Sequence, residues 1–141
     1  MLKYLFHFCA LLLILSNINC KTYVEANKPN QREPFPSPSG KYILRVPIEA
    51  DPTNQHHYWR VTITDNQGTV LFKDDSAFVG YLNVYWYWDQ DDRVWLINSD
   101  DGSVYYWQLD GNGGWKRYEW KESNKELPIP PAELFPPWYN K

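Results

Sequence analysis

A chain of 141 residues, 43% hydrophobic and 18% aromatic, is long enough for one compact domain with its own core. Fourteen Lys and Arg against seventeen Asp and Glu leave a net charge of −3, without the basic excess that a nucleic-acid backbone requires. Only two cysteines, Cys9 and Cys20, are present, which leaves no room for a disulfide framework or a cysteine zinc site.

The chain opens MLKYLFHFCALLLILSNINC, in which Lys3 precedes an apolar run from Tyr4 to Leu15. That run is shorter than the about 20 apolar residues of a membrane span and has the plan of an export signal. Cys20 follows it directly, and the segment resembles a bacterial lipoprotein signal, with Asn17 and Asn19 where that pattern usually has an aliphatic and a small residue. The resemblance implies removal of residues 1–19, lipidation of Cys20 and a membrane-anchored place in the cell envelope. The alternative is a soluble secreted protein. Either cleavage removes Cys9.

Residues 20–38 are polar and rich in proline, as in a tether. A β domain is expected over 39–121. Lys41–Val46 and Tyr58–Thr64 read as strands; in the second, Trp59, Val61 and Ile63 alternate with Arg60, Thr62 and Thr64, so the first set should face the core. Asp65-Asn66-Gln67-Gly68 turns the chain into Thr69–Lys73. Four further strands follow, Asn83–Trp88, Arg93–Asn98, Val104–Leu109 and Trp115–Trp120, separated by DQDD, SDDG and DGNGG.

FPSPSGKYIL (35–44) lines up with YWDQDDRVWL (87–96), and WRVTITDNQG (59–68) with YYWQLDGNGG (105–114). SPSGKYILRV resembles the blade signature of β-propeller repeats of the WD type. A propeller needs about four blades or more, and only two units fit. The expected fold is all-β, with two four-stranded antiparallel blade-like units packed as a small β-sandwich.

Residues 81–109 hold four tryptophans and five tyrosines. Val84, Trp86 and Trp88 should share one face of their strand and Tyr85 and Tyr87 the other, with Tyr106 opposed to Trp107 two strands on. With only two units, one face of the second sheet has no obvious cover. Tyr85, Tyr87 and Tyr106 are therefore the candidate binding surface, because tyrosine suits a half-wet position and an interface. The segment 122–141 carries five prolines between Pro128 and Pro137 and reads as a strap pinned by Leu127, Leu134, Phe135 and Trp138, with a short turn at Pro131–Leu134.

No catalytic constellation emerges. The aspartates sit in turns, where hairpins favour them. DGNGG starts like a calcium loop, but Lys121 stands where the last liganding acid belongs. His56 and His57 adjoin in a polar loop without further ligand spacing. No metal or cofactor is expected. The chain reads as a non-catalytic domain acting through its aromatic surface on a protein partner, or alternatively as a carbohydrate-binding module for envelope glycans.

Overall fold

The computed structural model describes residues 34–54, 56–135 and Tyr139. Cys20, the signal, most of the tether and Trp138 lie outside them. The chain is all-β, with eleven strands among the described residues: β1 (Phe35–Pro36), β2 (Tyr42–Arg45), β3 (Ile48–Ala50), β4 (His57–Trp59), β5 (Thr62–Asp65), β6 (Val70–Lys73), β7 (Phe78–Val79), β8 (Val84–Trp88), β9 (Val94–Asn98), β10 (Val104–Leu109) and β11 (Trp115–Trp120). They form antiparallel sheets in the orders β1-β2-β5-β6, β3-β4-β7 and β11-β10-β9-β8. Two four-stranded units were expected; the structure has sheets of four, three and four.

The reason for the extra sheet is local. β2 runs through Val46-Pro47 into β3, and β4 runs through Arg60-Val61 into β5. Pro47 has no N–H, so the ladder cannot cross it unbroken. Only Arg60 N reaches across, to Pro47 O at 3.3 Å. The third strand breaks at the same level, where Asp74 N donates to Val61 O between β6 and β7. One long hairpin is thus divided into two short sheets.

Three hairpin turns share one geometry. In each, an aspartate carboxylate accepts the backbone N–H two and four residues on: Asp65 from Gln67 and Thr69, Asp89 from Asp91 and Arg93, Asp110 from Asn112 and Gly114. The fourth residue is left-handed in every case, at Gly68 (φ 86°), Asp92 (φ 57°) and Gly113 (φ 80°). Glycine or an aspartate takes that conformation at low cost. The backbone bonds from Thr69 hold the Asp65 carboxyl below its usual pKa, and those from Asn112 and Gly114 do the same for Asp110.

The main core lies between the two four-stranded sheets. Leu44, Val46, Val61 and Ile63 from one side meet Val84, Trp86, Trp88, Val94, Leu96, Trp107 and Trp115 from the other, and Phe78 of β7 closes the end. Val61 and Ile63 are fully buried and Trp59 is half-buried, its Nε1 donating to Gly80 O at 3.0 Å. Thr62 and Thr64, expected on the wet face, are buried as well. They are short side chains on an interior strand, flanked by Arg45 and Lys73 and by Ile43 and Val70. Their longer neighbours screen them.

A carboxylate sits inside this core. Asp74 is 5% exposed; its Oδ2 accepts from Trp107 Nε1 at 2.6 Å and its Oδ1 from Ser76 N at 2.9 Å. The guanidinium of Arg117 lies 4.0 Å away, between the rings of Tyr105 and Phe78. Trp86, whose ring centre is 5.8 Å from that of Trp107, has a buried Nε1 with no partner among the described residues. The two indoles therefore respond differently to the same change. Trp107→Phe leaves a buried charge short of a donor and should cost about 2–3 kcal/mol beyond the volume lost. Trp86→Phe loses volume alone. Urea denaturation of the two variants checks this, and equal losses would show that the Asp74 bond contributes nothing.

Candidate functional site

The outer face of the β8–β11 sheet is built from two cross-strand rows. One runs Tyr87, Trp95, Tyr106, Tyr118 across the four strands; the next runs Tyr85, Ile97, Val104, Trp120. Alternation puts these side chains opposite the core face, as the sequence implied. In the first row the rings stack: Trp95 on Tyr106 at 4.9 Å and Tyr106 on Tyr118 at 5.0 Å between centres. Trp95 Nε1 donates to Asp89 Oδ2 at 2.8 Å, and Asp89 is also bridged by Arg93.

Tyr85, Tyr87 and Tyr106 share this face, but they do not form an open surface together. Tyr85 is 6% exposed and Tyr106 2%; Tyr87 alone is half-buried. Two causes account for the difference. Tyr106 is an interior-strand ring wedged between Trp95 and Tyr118. Tyr85 lies under the C-terminal segment, where Ala132–Leu134 form a 3-10 turn against β8 and β9 and Leu134 is fully buried. Phe135 and Tyr139 pack on the same cluster. Burial pushes both phenols up in pKa, with the nearby Asp100 adding to the effect on Tyr85. Tyr85 and Tyr106 are structural residues of a second core.

What the segment leaves open is a groove of about 490 Å³ between itself and the end of β11. Trp120, Leu127, Ile129, Pro130 and Phe135 line it, and Glu122, Asn124 and Lys125 supply polar atoms. Ile129 stands 88% exposed at its lip. A concave apolar site with a few polar groups and a volume of roughly 300–1,000 Å³ is the ordinary form of a ligand pocket. Sequence reasoning named Leu127 and Phe135 only as pins and passed over Trp120, Ile129 and the polar rim. The available signal was Ile129 itself, an apolar residue between two prolines in a segment that must fold back.

The turn aspartates of the hairpins point at their own backbones, as the bonds above show. Asp100 likewise accepts from Asn83 N and Nδ2 at 2.9 and 2.8 Å, tying the β9–β10 turn to the start of β8. His56 and His57 are exposed.

If the C-terminal segment is part of this core, Leu134→Ala should lower stability by about 2–5 kcal/mol, as for other buried leucines. It should also uncover the face over Tyr85, seen as binding of a hydrophobic dye before global unfolding. An unchanged denaturation midpoint with no dye binding would mean that the segment does not hold this face in solution.

No family model, curated protein or solved structure matches the chain.

Proposed function

We propose that this chain is a non-catalytic binding domain, carried on an export signal and anchored through lipid on Cys20, that holds an extended apolar segment of a protein partner in the groove beside β11. The observation that supports the reading best is the groove itself: apolar along Trp120, Leu127, Pro130 and Phe135, and rimmed by an isoleucine left 88% exposed. Ile129 extends the apolar lining of the cleft into one continuous surface, and contiguous apolar surface of this kind supports a partner site. Proline on both sides of Ile129 keeps it extended, so little ordering is lost on binding. A glycan is the second reading, favoured by one feature: Trp120 lies beside Glu122, Asn124 and Lys125, an indole with polar groups around it.

Ile129→Asp should leave folding intact and weaken binding at least tenfold to peptides selected from a displayed library, read by tryptophan fluorescence. An array of envelope polysaccharides run in parallel decides for the glycan if it alone gives binding that Trp120→Ala removes. Selected peptides that bind Ile129→Asp as well as the parent chain would sink the groove as the site.

Anchoring is tested separately. Cys20→Ser should move the protein from the membrane fraction to the soluble fraction, with loss of the acyl mass on the N-terminal peptide. A chain that fractionates identically with serine at position 20 is not held by lipid there.

A further inference from the structure

The second four-stranded sheet ends in a strand built to pair. We propose that two copies of this chain join their β11 strands antiparallel about a two-fold axis at Tyr118, making one eight-stranded sheet. Among the described residues β11 is the outermost strand of its sheet, and its register with β10 runs through six residue pairs without a shift. The other margins are interrupted. β1 and β7 are two residues long, β1 includes Pro36, β3 follows Pro47, and β6 has a register shift against β5. β8 is bracketed by Phe35, whose carbonyl accepts from Trp88 Nε1, and by the Ala132–Leu134 turn. Short, bulged or proline-bearing strands are how sheets avoid edge pairing. β11 is long, regular and free of proline, and the charges it carries, Lys116, Arg117 and Glu119, are the ones a partner strand must match.

The register follows from backbone geometry and charge. Asp110 N donates to Gly114 O at 2.7 Å, which sets the alternation of bonded and non-bonded pairs along the hairpin. Lys116, Tyr118 and Trp120 then bond to β10, and Trp115, Arg117 and Glu119 direct their backbone groups outward. A partner strand must meet these with its own outward residues. The symmetric choices near the strand centre place the axis at Arg117, Tyr118 or Glu119. An axis at Arg117 sets two arginines directly opposite, and one at Glu119 sets two glutamates opposite; both are unfavourable. The axis at Tyr118 sets Glu119 opposite Arg117 of the other copy, twice, adding a second carboxylate to a guanidinium that already faces Asp74 within its own protomer. It also sets Lys116 opposite Trp120, a cation beside an aromatic face.

The same axis extends the stacked row. Tyr118 is the outer ring of the Trp95–Tyr106–Tyr118 stack. It would face Tyr118 of the second copy at a non-bonded position, where opposed Cα atoms approach to about 4.5 Å and side chains are closest. Two three-ring stacks then become one of six. This proposal does not rest on the groove or its ligand.

Sedimentation equilibrium of the full chain should give a concentration-dependent dimer. Glu119→Arg places like charges across the axis, and Glu119→Pro removes an outward N–H without touching the β10 ladder. Both should sediment as monomers with an unchanged urea denaturation slope at monomeric concentration, whereas Ile129→Asp should remain dimeric. Tyr118→Cys should form an intermolecular disulfide on mild oxidation, and Lys116→Cys should not. A parent chain that is monomeric at all concentrations, an undiminished dimer in Glu119→Arg, or equal cross-linking at positions 116 and 118 would each overturn the proposal.

Discussion

The buried carboxylate of Asp74 is the constraint on which the packing of the two halves depends. It belongs to the chain between β6 and β7, yet its partners, Trp107 and Arg117, come from β10 and β11. A charge taken out of water must be met by donors, or the cost exceeds most single packing gains. Trp107 Nε1 and Ser76 N meet it, and the Arg117 guanidinium supplies opposite charge between two aromatic rings. Arg60 holds the same segment from behind, donating through Nη1 to the carbonyls of Asp74 and Asp75 at 2.7 and 2.9 Å. Apolar contact alone would tolerate a slip between the sheets. A carboxylate that has to find one indole and one guanidinium does not.

A second group of the same kind serves the other face of the β8–β11 sheet. Asp89 accepts from Trp95 Nε1 and from Arg93, and through its turn it also sets the β8–β9 register. The neighbouring turn is tied in too, since Ser39 N donates to Asp92 Oδ1 at 3.1 Å. Each large ring that is fully buried and carries an indole N–H, Trp95 and Trp107, is thus given an aspartate. This is how so aromatic a sheet can be covered on both sides while keeping one arrangement of its rings.

The parts legible in the sequence were those decided by short-range chemistry. DNQGT, DQDDR and DGNGG announced hairpins because an aspartate that caps its own turn, followed by a left-handed residue, needs only five consecutive positions. Period-two alternation correctly placed Tyr85 and Tyr87 opposite Trp86 and Trp88. Two things were not legible. Proline at position 47 divides a strand pair only when its partner is known, and β3 and β7 are too short for a periodic signal, so the three-stranded sheet stayed hidden, with these two strands in stretches that carried no strand reading. Exposure was hidden as well, because alternation assigns a face but not what covers that face. Tyr85 is dry because Leu134, nearly fifty positions later, lies over it.

That distinction also explains where the open surface ended up. A sheet apolar on both faces needs two covers, and in this chain the first half supplies one and a short C-terminal segment the other. A segment with a single buried leucine can close only part of an aromatic face. The Leu134 side of the cover lies on β8 and β9, so cover runs out toward β11, where Tyr118 and Trp120 are half-buried and the groove begins. Which residues stay exposed on this face is therefore set by the reach of the C-terminal segment rather than by the density of tyrosines. The most aromatic stretch of the sequence supplies the interior, and the surface falls to the less conspicuous residues at its margin.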